Sequence, residues 1–327
     1  MDKYIFCISV FLFCLITTIL IERKLIPTLS ARAKQPIYED GPTWHLAKTG
    51  TPTMGGIAFL ISISIAMLVC SAILIVNDID KRAGISLLLT ILFAVCNSLI
   101  GIFDDLMKLH RNKNAGLTPI QKLVLQFLIS VIFLMARKHF LNDGMAVKLF
   151  SREVDLGIFY YPVAIILLLG IVNCANLTDG IDGLATSVAI AIGMVFLLIG
   201  YSVSYSVPII ASALVGGGLG FLFFNINPAK IFMGDTGSLF LGAIAVGMAF
   251  SIERTLLIIP IGIVYVIEGL SVILQVLVFK VTKKRLFKMA PLHHHMEKCG
   301  FTENKICIIS VITTLVFSAV TILLSRS

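Results

Sequence analysis

Charge is scarce in this chain. Asp, Glu, Lys and Arg make up 13% of 327 residues, and tryptophan occurs once. A soluble domain carries about 25% charged residues, so a water-soluble globular fold is excluded. There is no GxxxxGK[ST] phosphate loop, no GxGxxG turn, no EF-hand spacing and no serine or cysteine nucleophile motif. The standard nucleotide folds and a calcium loop are therefore excluded. No tract is of low complexity and no internal repeat is present, which rules out a solenoid. The seven cysteines, at 7, 14, 70, 96, 174, 299 and 307, lack paired spacing and lie mostly in apolar runs. They read as small packing residues, not as disulfide halves or zinc ligands.

What the chain has is apolar length. It is 58% hydrophobic with a mean hydropathy of +1.00, and each bounded apolar run is close to one bilayer thickness, which favours spanning helices over a barrel. The runs place spans at Tyr4–Ile21, Gly55–Val76, Ile85–Phe103, Pro119–Ala136, Tyr161–Val172, Leu184–Tyr201, Val207–Ile226, Gly237–Phe250, Leu256–Phe279 and Lys305–Leu324. The fold class is thus an all-α polytopic membrane protein of about ten transmembrane helices, with residues 1–327 as one integral-membrane domain. The fifth and eighth runs are shorter than a bilayer needs, so their helices must extend into the polar motifs beside them. The first run lacks a small-residue cleavage site and is followed by Glu22-Arg23-Lys24, which makes it an anchor.

Ten spans put alternate loops on opposite sides. Loops after the odd spans hold 15 Lys and Arg, against 9 on the side that carries both termini. The positive-inside rule then makes the odd loops cytoplasmic and both termini periplasmic. The formal charge of +8 belongs to this asymmetry; no nucleic-acid partner is implied. Every polar motif falls in an odd loop or at its rim, so one cytoplasmic face carries the chemistry.

The central motif is Asn173-Cys-Ala-Asn-Leu-Thr-Asp-Gly-Ile-Asp-Gly-Leu184. Its polar residues recur every third position and cannot share one narrow helical stripe. The spacing predicts a helix end near Asn176, with Gly180 and Gly183 turning the chain so that Asp179 and Asp182 converge. An ordinary Asp-Gly turn is the simpler reading, but two such pairs with two asparagines point to a site. Asp104 and Asp105 follow an apolar span directly, where a carboxylate costs up to about 2.5–3.5 kcal/mol. Lys108 lies four residues on and faces Asp104 on a helix; Arg111, Lys113 and Lys122 add cations. Asp235 sits between glycines in Met233-Gly-Asp-Thr-Gly237, either as a helix N-cap or beside a ligand that approaches the backbone. Three adjacent histidines, His293 to His295, match no zinc spacing and suit donors to a phosphate or sugar. The basic run Lys283-Lys-Arg-Leu-Phe-Lys288 before them suits anionic lipid headgroups. Glu268 lies in mid-span, with its role open between facing a cavity and pairing across the bundle. Carboxylates near an interface beside scattered cations are what Mg²⁺ and a diphosphate require. The residues alone therefore reach a membrane-embedded, Mg²⁺-dependent phosphotransfer.

Together, Asp104-Asp105, the Asn173–Leu184 stretch and Met233-Gly-Asp235 resemble the polyprenyl-phosphate N-acetylhexosamine-1-phosphate transferase superfamily. Thr51-Pro-Thr-Met-Gly-Gly56 and Pro291-Leu-His-His-His-Met-Glu297 resemble its phospho-N-acetylmuramoyl-pentapeptide-transferase branch, and the resemblance runs in order from about residue 23 to 301. It implies a ten-span, homodimeric, multi-pass enzyme of the bacterial inner membrane, surrounded by membrane lipids. That enzyme would move phospho-MurNAc-pentapeptide from UDP-MurNAc-pentapeptide to undecaprenyl phosphate, giving lipid I and UMP. Carried onto matching positions, the resemblance makes Asp104, Asp105, Asp235 and His294 catalytic, with Asp235 and Asn176 at Mg²⁺. It places Lys48, Lys108, Lys122, Asn173, Asn176, Asp179, Gly180, Asp182, Phe232, His293 and His295 against substrate. Two rivals stand beside it. A UDP-GlcNAc-1-phosphate transferase would share the Asp motifs but not the histidine segment. A cation-coupled transporter would place its carboxylates at the midplane between repeats.

Overall fold

The computed structural model describes residues 3–32, 48–111, 116–149 and 152–324. Its helices are α1 (Lys3–Arg32), α2 (Gly56–Val76), α3 (Lys81–Arg111), α4 (Pro119–Leu141), α5 (Tyr160–Thr178), α6 (Leu184–Gly200), α7 (Ser206–Asn225), α8 (Gly234–Ser251), α9 (Ile258–Ile261), α10 (Ile263–Thr282), α11 (Leu292–Lys298) and α12 (Glu303–Leu324). Among the described residues, nine helices are long and apolar enough to cross a membrane, and α6 is a shorter apolar helix. The all-α polytopic expectation holds, and nine of the ten expected spans reach full length among the described residues. The fifth and eighth spans do extend into their motifs, to Gly157–Thr178 and Gly234–Ser251.

Two features differ from the sequence reading. The ninth apolar run is broken: a 3-10 turn at Thr255–Leu257 leads into α9, and Gly262 separates α9 from α10. Pro260 lies just before this break and lacks the N–H an unbroken helix would use. The second feature is a hairpin of β1 (Ala146–Leu149) and β2 (Arg152–Asp155), antiparallel, with Val147 opposite Val154 and Lys148 opposite Glu153. Its four-residue strands alternate too briefly to stand out in a chain dominated by helical runs.

Helices α7 and α8 form the hub. The apolar stretch of each is 83% buried, against 22% for α4 and 28% for α1, α10 and α12, whose outer faces meet lipid. Small residues let backbones approach there, as expected where lipid supplies no hydrophobic drive for helix association. At Gly56 a Cβ would collide with the backbone of Gly237, so α2 lies directly on α8.

Ion pairs sort to the two ends of the bundle. At one end Arg137, 2% exposed, donates to Asp143 at 2.6 Å and to the Phe250 carbonyl at 2.9 Å. There Arg82 reaches Asp143 at 3.1 Å and Glu253 at 2.6 Å. Lys3 reaches the Tyr201 carbonyl, which joins the start of α1 to the α6–α7 loop. At the other end lie Asp104, Lys122, Asp182, Asp235 and their partners. Along α3, Arg82 and Asp104 are separated by roughly 33 Å at 1.5 Å per residue. Among the described residues, the even loops thus share one face and the odd loops the other.

The expected orientation, with the cation-rich odd face toward the cytoplasm, is testable in a background lacking the seven native cysteines. A cysteine replacing Lys284 should resist impermeant thiol reagents in intact cells, and one replacing Lys148 should label. The opposite pattern would invert the molecule.

Candidate active site at the cation-rich face

Helix α3 outlasts the bilayer. At 31 residues it is roughly 46 Å long, so its last turns carry Asp104, Asp105 and Lys108 beyond the apolar core. On one face Lys108 Nζ sits 2.6 Å from Asp104 Oδ2, as the i,i+4 spacing predicts. Asp104 is fully buried and also accepts the Leu117 amide at 2.7 Å. The chain returns as α4, whose start is fixed by a capping box: Thr118 and Gln121 exchange side chain-to-backbone hydrogen bonds. That start places Lys122 in the first turn. Its Nζ lies 3.0 Å from Asp104 Oδ2 and 2.6 Å from Asp235 Oδ2; Lys108 is 3.3 Å from the same Asp235 oxygen.

Asp235 belongs to the first turn of α8, so it is not that helix's cap. The cap comes from α3. Asp105 accepts the amides of Asp235 at 3.2 Å and Thr236 at 3.0 Å, and the Thr236 hydroxyl at 2.7 Å. A carboxylate at a helix N-terminus satisfies orphan N–H groups and opposes the helix dipole favourably. Gly101 makes this possible, because a side chain there would strike the Asp235 carbonyl. Of the adjacent pair predicted as catalytic, Asp105 is therefore committed to α8, and Asp104 faces the lysines.

Oxygens of Asp104, Asp105 and Asp235 all lie within 4.8 Å of one another. Asn176 donates to Asp235 Oδ1 at 3.1 Å and to the Ser238 hydroxyl at 2.8 Å. Three carboxylates against two ammonium groups leave one net negative charge in a hard-oxygen donor set, which fits a divalent cation. Lys108 and Lys122 share Asp235 Oδ2, so a divalent cation held by Asp235 would compete with them for that oxygen.

The Asn173–Leu184 stretch turns at a glycine as expected, but the helix ends later and the two aspartates do not converge. Helix α5 runs to Thr178, two residues past Asn176, and Gly183 takes φ +76°, where a side chain would be strained. Asp179 and Asp182 do not converge on common partners. Asp182 receives Lys48 Nζ at 2.6 Å, the Asn227 carboxamide at 3.0 Å and the Ala229 amide at 3.0 Å. Its own amide donates to Glu303 Oε2 at 2.7 Å, and Lys48 also pairs with Glu303 at 2.7 Å. The Asp179 carboxylate makes no hydrogen bond among the described residues. Burial, together with the negative charges of Asp235, Asp105 and Asp182, pushes its pKa well above the usual carboxylate range, against the pull of Lys108.

The other predicted residues divide. Asn173 points into the bundle and donates to Gln126 Oε1 at 2.8 Å and to the Leu169 carbonyl at 2.8 Å, so it ties α5 to α4. Phe232 bridges through its backbone, donating to the Pro52 carbonyl at 2.8 Å and accepting from Gly55 at 2.9 Å. His293 is buried against Gly180, whose missing side chain makes room for its ring. His294 Nδ1 lies 2.7 Å from Glu297 Oε2. His295 turns away: its Nδ1 accepts the Lys288 amide at 3.1 Å and its ring lies edge-on to Phe287. It braces the basic loop, not the carboxylate cluster. Lys113 and the side chain of Arg111 lie outside the described residues. Glu303, Asn227 and Glu268 join the site through partners remote in sequence, namely Lys48, Asp182 and His293, and Asn225 accepts the Gly183 amide while donating to the Ile231 carbonyl six residues on.

The family model for Glycosyl transferase family 4 matches residues 84–253, and signature 1 of phospho-N-acetylmuramoyl-pentapeptide-transferase matches residues 48–60. Curated phospho-N-acetylmuramoyl-pentapeptide-transferases are similar along nearly the whole length. The one from Halalkalibacterium halodurans is 41% identical over 313 residues, 94% of each chain. That from Clostridium kluyveri is 44% identical over 301 residues, 89% of this chain and 92% of the relative. That from Clostridium perfringens SM101 is 41% identical over 295 residues, 90% and 88%.

The geometry separates Asp105 from its neighbour by experiment. Asp105→Ala should lower the unfolding free energy by about 2 kcal/mol, the cost of a lost cap and orphaned amides, read as a lower melting midpoint in detergent. An unchanged midpoint would mean that Asp105 does not hold α8.

Proposed function

The chain belongs to the phospho-N-acetylmuramoyl-pentapeptide-transferase family, and from that premise we propose that it transfers phospho-MurNAc-pentapeptide from UDP-MurNAc-pentapeptide to undecaprenyl phosphate, releasing UMP and forming lipid I. It is a multi-pass protein of the bacterial inner membrane. The observation that carries the reading is the Asp104–Lys108–Lys122–Asp235 cluster at the membrane boundary, where a lipid-borne phosphate and a soluble diphosphate can meet.

In the proposed reaction an oxygen of the lipid phosphate attacks the β-phosphorus of the UDP-sugar in line. The new P–O bond forms as the bond from that phosphorus to the bridging oxygen breaks, and UMP leaves with the electron pair. A phosphate monoester has its second pKa near about 6, so the acceptor is largely dianionic at neutral pH and needs little deprotonation. A carboxylate nucleophile would gain little. The harder task is to bring two anions together, and Lys108 and Lys122 offset their repulsion from inside a partly dry site. Asp104, held by both lysines, orients the acceptor and takes any remaining proton. Asp235 and Asn176, with Asp104 beside them, would hold Mg²⁺, which would supply charge neutralisation on the diphosphate. Asp182, Lys48 and Phe232 border the side assigned to the uridine diphosphate.

Purified protein with Mg²⁺ and both substrates should release UMP, and UDP-GlcNAc should not replace the muramoyl donor; efficient use of UDP-GlcNAc would move the chain to the rival branch. Stripped of all lipid phosphate, it should not exchange labelled UMP into the donor. Robust exchange would require a covalent phospho-sugar enzyme and sink the one-step route. Asp235→Asn keeps the size of the side chain and removes its charge, and should cut turnover at least about 100-fold while the protein stays folded. Full activity in that variant would reduce Asp235 to a structural residue.

A further inference from the structure

Glu268 stands in the interior of α10, 4% exposed, in a span where a carboxylate is costly without partners. Among the described residues, the hydrogen-bond partners of its carboxylate all come from one residue of α11. The His293 amide donates to Glu268 Oε1 at 3.1 Å and Oε2 at 3.2 Å, and His293 Nδ1 lies 3.1 Å from Oε2. The ring is fully buried, and its second nitrogen, Nε2, has no hydrogen-bond partner among the described residues. That nitrogen lies over Gly180, where a Cβ would collide with it. So a carboxylate deep in one helix grips a histidine whose other end touches the turn between Asp179 and Asp182.

We propose that Glu268 is a positioning residue that fixes His293 as the neutral Nδ1–H tautomer and directs the lone pair of Nε2 across Gly180 to accept a hydroxyl or N–H of the sugar-nucleotide donor. An ionised carboxylate only accepts hydrogen bonds, so a contact with Nδ1 places a proton on that nitrogen, and in the neutral ring Nε2 is then left as an acceptor. A staple holding α11 to α10 would need only the backbone amide. The ring contact and the orphaned Nε2 are what a staple does not need. A buried polar atom without a partner is rare in a folded protein, and this one borders the site proposed above.

The inference rests on the transferase reading for its ligand but not for its first test. With all six histidines labelled with ¹⁵N in the intact, ligand-free protein, the resonances lost in His293→Gln identify that ring. His293 should show a protonated Nδ1 and an unprotonated Nε2. In Glu268→Gln the carboxamide can turn its NH₂ toward Nδ1, and the ring should then shift to the Nε2–H tautomer. The same variant should raise the KM for UDP-MurNAc-pentapeptide about tenfold, the effect of one hydrogen bond, with kcat changed far less. If Glu268→Gln does not fold, Gly180→Ala displaces Nε2 from the other side and should raise the same KM. A wild-type ring protonated on Nε2 would overturn the assignment. So would a folded Glu268→Gln protein with unchanged tautomer and KM, or an unchanged KM in Gly180→Ala. Absence of UMP release by the wild type would overturn the transferase reading and leave the tautomer result standing.

Discussion

Three carboxylates gathered at the end of an apolar bundle are tolerable only because two lysines stand among them. Asp104 is fully buried, and Asp235 shares one oxygen between Lys108 and Lys122. Removing either cation would leave repelling charges in a poorly hydrated place, where each pairwise term is several-fold larger than in water. The rest of the fold serves that balance. The length of α3, the capping box that starts α4 and the bare Gly101 all act to bring these five side chains together.

Acidic residues here fall into two kinds. Asp105, Asp182 and Glu268 are engaged by groups of the protein: amides of α8, Lys48 with the 227–229 turn, and the backbone and ring of His293. They shape the site and hold its walls. Asp104, which also accepts the Leu117 amide, and Asp235 are balanced by Lys108 and Lys122, and Asp179 makes no hydrogen bond through its carboxylate among the described residues. Charge that lysine side chains balance can be rebalanced when an anion or cation arrives, because a lysine moves at little cost. Charge locked to backbone amides cannot. Two adjacent aspartates, 104 and 105, thus do different work.

Much of this was legible in the sequence. Span positions followed from run lengths, and the Asp104–Lys108 pair from a four-residue spacing. Both are local, periodic signals that a helix converts directly into geometry. The glycines around Asp235 suggested a ligand close to the backbone; the close neighbours the structure places there are the Asp105 carboxylate at Gly234 and the backbone of Gly56 at Gly237. What could not be read were contacts between remote segments. Nothing near Glu303 says that it meets Lys48, 255 residues away, and nothing in α10 says that Glu268 will meet a histidine 25 residues on. The choice between Asp105 and Asp104 was hidden for the same reason: it depends on which face of α3 meets the start of α8. The break at Gly262 was signalled by Pro260, but the unbroken hydrophobicity of the run concealed it.

At the opposite face, Arg82 and Arg137 bind Asp143, Glu253 and the Phe250 carbonyl into one knot that joins the far ends of α3, α4 and α8. Those three helices carry Asp104, Lys122 and Asp235 at their other ends. Each helix is therefore a lever whose fulcrum is that knot and whose arm is a bilayer thick. For α3 the arm is roughly 33 Å, so a tilt of one degree at the fulcrum moves the carboxylate by roughly 0.6 Å. Reactions that depend on placement lose rate steeply over such distances. The precision of a reaction centre on one side of the membrane is in this way delegated to a handful of arginine contacts on the other.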